Sequence, residues 1–224
     1  MIFLNIQIDS VILERVPTFK VGAIFYHNTV IDQSPQMLRG RFQLFLESLK
    51  LDALQYSVSD HDAIKEWRGV FKQLHMDPSR YKPSSEALLK RIYSGKTLDF
   101  MNGAVDLNNF FSLQYLLPIG IYDTDCLSGD ITLTLGKTGE AYESLNGRLM
   151  NMEGRLLSKD ANGPFGSPIV DSKRSAITAE TTNALQLIYL RPSMTDDEAH
   201  QLLQAVQKMF VQVNGGSSTS HIIA

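Results

Sequence analysis

Three segments of the chain are unusually dense in polar residues set against apolar ones. They span residues 81–91, residues 101–109 together with 117–123, and residues 171–183. Their carboxylates can orient a water molecule or bind an ammonium group, their amides and hydroxyls can contact a carbonyl or a ribose, and their cations fit a phosphate. Glu86 and Arg91 lie five residues apart on one predicted helix, which is not the spacing of a tight pair, so at least one of them should bond elsewhere.

Other catalytic motifs are excluded by their context. Gly136-Lys137-Thr138 imitates the end of a phosphate-binding loop, but the glycine required five residues earlier is Ile131, inside a predicted strand. The five histidines have no i,i+4 pairing and no acidic partner at ligand spacing, which argues against a zinc site. Cys126 has no neighbouring base, and Pro168 after Ser167 forbids the helical turn of a nucleophile elbow. We therefore expect no metal and no nucleophilic side chain.

Hydrophobic spacing and turn residues divide the chain into a helical part and a strand-rich part. Strands are predicted at residues 3–8, 21–26, 130–135 and 185–190, and helices at residues 34–49, 60–75 or 62–75, 84–94, 107–116 and 195–213. Thr195 and Glu198 form a capping-box pattern for the last helix. We predict an α+β fold, a mostly antiparallel sheet assembly flanked by helices, with a single domain over residues 1–213 and a flexible tail at 214–224.

The chain has 224 residues and a net charge of −3, whereas a stable nucleic-acid binder usually has a basic total. From Lys65 to Lys96, however, there are eight basic and three acidic residues, so this stretch has a net charge of +5 and the rest of the chain has a net charge of −8. The stretch forms either solvated helix faces or a surface that faces phosphates. Short apolar runs, a single cysteine and a start without signal-peptide features predict a cytoplasmic protein that does not bind membranes.

Several short motifs follow one another along the chain. They are Arg80-Tyr81-Lys82-Pro83-Ser84 with Glu86 and Arg91, Val105-Asp106-Leu107-Asn108, Leu117-Pro118-Ile119-Gly120 with Tyr122-Asp123, and Asp171-Ser172-Lys173-Arg174-Ser175 with Thr178 and Thr181. Their order and spacing resemble the editing, tRNA-binding domain of the phenylalanyl-tRNA synthetase β subunit over about residues 67–189. The resemblance is closer still to the free-standing proteins built from that domain alone.

This resemblance implies a helix-flanked sheet domain that encloses a pocket for the aminoacylated 3′ end of a tRNA. It implies a trans-acting editing protein that hydrolyses the ester of a mischarged tRNA and needs no cofactor. The alternative is a non-catalytic protein that kept the fold and binds a tRNA or RNA end, or an amino acid.

The resemblance and the residue chemistry together assign candidate roles. The catalytic candidates are Asp123, Asp171 and Thr178, the substrate-binding candidates are Glu86, Asn108, Tyr122, Ser172 and Thr181, and the tRNA-binding candidates are Arg80, Lys82, Arg91, Lys173 and Arg174. Several of these positions also have a purely structural interpretation. Asn108 can cap a helix, and Glu86 is a favourable first-turn acid. Asp171 fits a turn before a strand, and Thr178 fits a helix entry.

Two positions depart from the synthetase domain. The stretch of that domain corresponding to residues 117–123 carries a histidine tied to editing, where this chain has Gly120. Its late strand carries an editing glutamate, and the corresponding position here is about Leu187. The tyrosine-clearing pocket of the synthetase is therefore not expected in this protein. If the substrate side chain is cationic, Asp123 or Glu86 would be its natural partner.

Overall fold

The computed structural model describes residues 4–224. The strands are β1 Ile6–Ile8, β2 Val21–His27, β3 Ile119–Asp123, β4 Ile131–Leu135, β5 Ala141–Glu143, β6 Leu149–Asn151, β7 Leu156–Asp160, β8 Gly163–Gly166, β9 Ala184–Tyr189 and β10 Ser217–Ile223. The helices are α1 Ser10–Leu13, α2 Gln36–Asp52, α3 Asp62–Gln73, α4 Ser84–Tyr93, α5 Gly103–Tyr115 and α6 Asp196–Asn214. The strand predicted at 3–8 is present as β1, and its first predicted residue, Phe3, lies outside the described residues.

Two four-stranded sheets and a small hairpin form the β part of the molecule. One sheet has the strand order β1-β4-β7-β8, the other has the order β10-β2-β9-β3, and β5 pairs with β6. Strands β1 and β4 run parallel, and the other pairs of these strands are antiparallel. The predicted α+β class, with mostly antiparallel sheets flanked by helices, is confirmed.

One hydrophobic core joins both sheets to the helices. Strand β9 lies between β2 and β3 and is buried over its whole length, which is why its sequence is almost continuously apolar. Trp67 of α3 meets the ring of Tyr189 edge-on at 5.9 Å, and Phe210 of α6 stacks on Tyr26 with ring centroids 3.7 Å apart. These contacts pack α3 and α6 against the sheet that contains β3.

Helix α6 is 19 residues long and begins at the predicted capping box of Thr195 and Glu198. Its buried side chains recur on one face, where Leu203, Val206 and Phe210 pack into the core. The opposite face is polar. Within residues 4–224, no helix combines the length and the apolar character that a bilayer crossing requires.

The predicted flexible tail at 214–224 is wrong, because residues 217–223 form β10. All seven residues of β10 pair antiparallel with β2. Gly215 and Gly216 both have positive φ, 68° and 77°, which lets the chain reverse between α6 and β10. A Cβ at Gly216 would lie 2.2 Å from the carbonyl oxygen of His27, so this close approach requires glycine. The run of glycine and serine has a linker's composition, but the following His221-Ile222-Ile223 suits a strand.

Two helices begin at residues other than those predicted. Helix α5 starts at Gly103, about one turn early, because the side chain of Asn102 accepts a 2.9 Å hydrogen bond from the amide of Val105. Ser34 does not cap α2. Its hydroxyl donates instead to the carboxylate of Asp106, which ties the start of α2 to α5.

Candidate functional site

A cavity of about 780 Å³ is bounded by α4, α5, β3, the β5–β6 turn and the segment that follows β8. Its apolar walls include Leu88, Val105, Ile119, Ile121, Ile169 and Ile177. Its polar groups include Asn108, Asn109, Asp171 and three cations at α4 and just beyond. An apolar space with a few placed polar groups is the usual composition of a small-molecule site.

Asp171 is the one carboxylate among the described residues that line this cavity. Its Oδ1 accepts a 2.7 Å hydrogen bond from the hydroxyl of Tyr122. Burial raises the pKa of Asp171 to about 7, and it outweighs the opposite effect of this bond and of the nearby backbone of Ser167 and Ile121. An acid that titrates near neutrality can take up and release a proton at physiological pH, so Asp171 is suited to general-base chemistry.

Two glycines make room for Tyr122, which is fully buried. A Cβ at Gly120 would lie 2.0 Å from the Tyr122 hydroxyl oxygen, and a Cβ at Gly166 would lie 2.3 Å from it. Any side chain at position 120 would displace the Tyr122 hydroxyl from Asp171, so this contact requires glycine there.

Asn108 stands on the cavity wall with its side chain fixed by a buried chain of hydrogen bonds. Its Nδ2 donates to the carbonyl oxygen of Ile119 at 3.0 Å, and its Oδ1 accepts from Nε2 of Gln186 at 3.0 Å. The Oε1 of Gln186 accepts in turn from the Tyr26 hydroxyl at 2.9 Å. The interpretation of Asn108 as a helix cap is thereby excluded, since Asn102 caps α5.

Lys90, Arg91 and Lys96 line one side of the cavity and are exposed to solvent; we call them the basic rim. The Nε of Arg91 donates to the carbonyl oxygen of Thr97 at 2.8 Å. Within residues 4–224, none of the three forms an ion pair with a carboxylate. The basic rim therefore presents three uncompensated positive charges beside an apolar cavity, where an anionic group can bind.

The sequence model of the B3/4 domain family matches residues 66–205, more than half of the chain. This chain belongs to the B3/4 domain family. The matched range contains α4, α5, β3 and the segment after β8, which are the elements that bound the cavity.

Similar proteins include a free-standing one and a synthetase subunit. The uncharacterized protein YhzB of Bacillus subtilis (strain 168) is 36% identical over 218 residues, which cover 97% of this chain and 99% of YhzB. The phenylalanine–tRNA ligase beta subunit of Paramagnetospirillum magneticum is 32% identical over 98 residues, which cover 42% of this chain and 12% of that subunit. The N-terminal fragment of the Pyrococcus horikoshii phenylalanyl-tRNA synthetase beta subunit has a TM-score of 0.48 at 13% identity, covering 96% of this chain and 50% of the fragment. The predicted resemblance to the synthetase β-subunit domain is confirmed.

The B3/4 domain brings some of the predicted site residues together. Asp171, Asn108 and Arg91 line the main cavity, and Tyr122 lies directly behind Asp171. Sequence reasoning did not single out Gln186, although a glutamine within the apolar run of β9 is a signal for a buried hydrogen-bond role. It also gave no site role to Lys90 and Lys96, which lie in the basic stretch between 65 and 96.

Other predicted catalytic residues are not among those lining the cavity. The carboxylate of Asp123 accepts a 2.6 Å hydrogen bond from the Thr181 hydroxyl and a 2.9 Å bond from the amide of Asp125. Thr178 is exposed, and its hydroxyl accepts from the amide of Glu180 at 3.2 Å. Residues 178–181 form a turn that continues into no helix, so the helix-entry interpretation is wrong. These bonds hold the loop between the 173–175 turn and β9 in place.

Glu86 is 1% exposed and faces Arg68 instead of the cavity. The Nε and Nη2 of Arg68 donate to its two carboxylate oxygens at 2.9 and 2.7 Å. Glu86 and Arg91 thus bond in different directions, as their spacing predicts. Glu86 therefore has a structural role, because its ion pair with Arg68 joins α4 to α3.

A second, smaller cavity of about 420 Å³ contains Ser172, Lys173 and Arg174. The guanidinium of Arg174 makes a bidentate pair with Asp160 at 3.0 and 3.2 Å, and Lys173 lies 3.3 Å from a carboxylate oxygen of Glu143. The Ser172 hydroxyl accepts from the amide of Arg174 and opens the 173–175 turn, which leads into no strand, so the interpretation of Asp171 as a turn residue before a strand is wrong. Both cations are therefore partly neutralised, and neither lines the main cavity.

The two remaining cations predicted to bind tRNA also lie outside the cavity lining. The guanidinium of Arg80 stands 5.2 Å from the ring centroid of Tyr81, and Lys82 donates to the carbonyl oxygen of Ser79 at 2.7 Å. Within residues 4–224, no three histidine, cysteine or acidic side chains gather as metal ligands would.

Proposed function

We propose that this B3/4 protein is a trans-acting aminoacyl-tRNA deacylase, which hydrolyses the ester of a mischarged tRNA. The observation that carries the proposal is the position of Asp171, a proton acceptor on the wall of an apolar cavity whose edge is the basic rim. The named relatives that support a tRNA substrate are phenylalanine–tRNA ligase beta subunits. The proposal places the protein in the cytoplasm, where charged tRNA is found.

The proposed reaction needs a positioned water and no covalent intermediate. The ionised carboxylate of Asp171 takes a proton from a water molecule as its oxygen attacks the ester carbonyl carbon. The bond between that carbon and the ribose oxygen then breaks, the ribose oxygen takes the proton from Asp171, which is ionised again, and a free amino acid and a deacylated tRNA leave. A base with a pKa near the working pH is the most effective kind, and such a group contributes about 10²–10⁴-fold.

Asn108 is the residue proposed to contact the ester carbonyl or the ribose. One N–H of its Nδ2 bonds to Ile119, which leaves the second N–H for a substrate oxygen. Because Nε2 of Gln186 donates to Oδ1 of Asn108, the orientation of the Asn108 amide is fixed, with Nδ2 on the opposite side. A preorganised donor of this kind contributes about 3–4 kcal/mol when it meets the developing oxyanion.

The basic rim is proposed to bind the phosphates of the single-stranded 3′ end. It replaces Arg80, Lys82, Lys173 and Arg174, which do not line the cavity. Because the whole chain carries a net charge of −3, the attraction is confined to this region and the contact with tRNA should be weak and quickly released.

The test is a deacylation assay on a panel of tRNAs, charged correctly or incorrectly, that together carry all the amino acids. We expect at least one mischarged tRNA to be cleared faster than in buffer. Asp171→Asn should slow that reaction by about 10²–10⁴-fold. Asp125→Asn changes an exposed carboxylate outside the cavity and should leave the rate unchanged.

If no tRNA in the panel is cleared faster than in buffer, the deacylase proposal is wrong. Salt-sensitive tRNA binding without turnover would then favour the non-catalytic alternative. Stabilisation by free amino acids without tRNA binding would favour an amino-acid-binding protein.

A further inference from the structure

We infer that the amino acid removed from the tRNA carries an apolar side chain. This inference rests on the proposed function and specifies its substrate class. The starting observation is the cavity wall around Asn108 and Asp171, which is built from Val105, Ile119, Ile121 and further aliphatic side chains. Each CH₂ that moves from water into such a space strengthens binding about fourfold.

A cationic side chain would find no counterion in the cavity. Asp171 is the one carboxylate in its described lining, and the proposed reaction uses that group to activate water. Glu86 is neutralised by Arg68, and Asp123 is held by Thr181. The expectation that Asp123 or Glu86 would receive a cationic side chain is therefore not supported by where the structure places them.

An acidic side chain would be repelled by Asp171. It could reach the basic rim only by leaving the aliphatic wall and competing with the tRNA phosphates. Uncharged polar groups other than Asn108 also line the cavity, at Ser84, Ser94, Asn109 and Asn146, so the lining argues most strongly against charged side chains. Burying a charged group without a partner is unfavourable, and the aliphatic wall therefore discriminates against side chains of either charge.

The volume of the cavity permits this arrangement. About 780 Å³ accommodates an amino acid side chain together with the terminal nucleoside that carries it. The nucleoside lies nearest the basic rim in this arrangement, because its phosphates need Lys90, Arg91 and Lys96. The side chain of the amino acid then faces Ile119 and Ile121, which are only 5% and 6% exposed to solvent.

The test compares esters of one tRNA body charged with leucine, isoleucine, methionine or phenylalanine and with lysine, arginine, aspartate or glutamate. We expect kcat/KM to be at least about tenfold higher for the best apolar ester than for any charged one. Faster clearance of a charged ester than of every apolar ester overturns the inference while the deacylase proposal stands. If no ester is cleared, the deacylase proposal fails and the inference fails with it.

A substitution in the wall gives an independent measurement. Ile177→Glu places a carboxylate in the half-buried lining, so the ratio of lysyl to leucyl ester clearance should rise at least about tenfold. Leu54→Glu is the matched control, since Leu54 is 82% exposed and does not line the cavity, and its ratio should equal that of the native chain. An unchanged ratio in a folded Ile177→Glu protein contradicts the inference, and if this variant does not fold the ester panel on the native chain decides.

Discussion

The hydroxyl of Tyr122 donates a 2.7 Å hydrogen bond to Oδ1 of Asp171 across 49 residues of sequence. The bond joins strand β3 to the segment that follows β8, and it holds the carboxylate at the cavity wall. Gly120 and Gly166 give the Tyr122 ring the space to reach it. The position of the proposed base thus depends on a buried side chain that does not itself line the cavity.

Removing the Tyr122 hydroxyl should shift the pH dependence of deacylation. The hydrogen bond from Tyr122 lowers the pKa of Asp171, so Tyr122→Phe should raise that pKa and move the acidic limb of the kcat/KM profile to higher pH. The profile is measured on the substrate that the native protein clears best. Tyr93→Phe, which removes a hydroxyl bonded to His61, should leave the limb in place. An unmoved limb in Tyr122→Phe would show that this hydroxyl does not tune Asp171.

The contribution of Asp171 to the stability of the native chain should fall as pH rises from about 4 to 7. The pKa of Asp171 is about 7 in the folded protein and 3.8 as an ordinary carboxyl, so the folded state binds more protons between these values. Ionising this half-buried carboxyl therefore lowers the free energy of unfolding by up to about 1.4 kcal/mol per pH unit. From pH 5 to pH 7, the free energy of unfolding of the native chain should fall by about 2 kcal/mol more than that of Asp171→Asn. Urea unfolding at both pH values measures it, and parallel behaviour of the two proteins would contradict the raised pKa.

The basic rim should dominate the salt dependence of tRNA binding. Each phosphate contact on a single strand adds about 0.7 to the slope of log K against log salt, so Lys90→Ala/Lys96→Ala should reduce the slope by about 1.4. Fluorescence anisotropy with labelled tRNA measures it. Lys65→Ala/Lys72→Ala removes two exposed cations of α3 outside the cavity lining. If both double variants reduce the salt slope equally, tRNA is attracted to the basic stretch as a whole and not to the basic rim.

Alanine at Gly120 should destabilise the fold. Its Cβ would collide with the Tyr122 hydroxyl, and overpacking of this kind costs about 1–3 kcal/mol. Gly40→Ala on α2 is the opposite case, because a Cβ there meets nothing within 4 Å. That change should stabilise the protein by about 0.5–1 kcal/mol through helix propensity. Denaturant unfolding compares them, and a stable Gly120→Ala protein would show that Tyr122 can move without cost.

The ion pair between Arg68 and Glu86 should matter more than surface pairs of the same type. Arg68→Ala leaves the Glu86 carboxylate buried without a partner, which we expect to cost about 2–3 kcal/mol, less than for a fully buried pair because Arg68 is partly exposed. Lys65→Ala breaks the exposed pair with Asp62 and should have no measurable effect. Equal midpoints in thermal unfolding would mean that Glu86 is hydrated in the folded state.

The fold class and most elements could be predicted from the sequence because hydrophobic period and capping residues act locally. Thr195 with Glu198 predicted the start of α6, and the clean alternation of residues 130–135 predicted β4. The strand β10 was not predicted, because its first half is rich in serine and only its last three residues suit a strand. Its pairing with β2 depends on a segment about 200 residues earlier, which the local sequence of the tail does not indicate.

The candidate site was predictable in part. The polar motifs identified Asp171, Asn108 and Arg91, which the fold brings to one cavity. The same motifs also contained Glu86 and Asp123, whose partners Arg68 and Thr181 satisfy them elsewhere. Both kinds of residue have the same chemical character in the sequence, and only tertiary contacts separate a group that faces a cavity from one that is already bonded.

The position of β2 between β9 and β10 sets the order in which the chain can fold. Tyr26 of β2 bonds to Gln186 across 160 residues, and Gln7 of β1 reaches Thr132 of β4 across 125. Topologies dominated by such distant pairings lose much chain entropy before any contact forms, and they fold slowly, over about milliseconds to seconds. During synthesis, β1 and β2 therefore stay unpaired until their distant partner strands have been made, and in that interval they can associate with other chains.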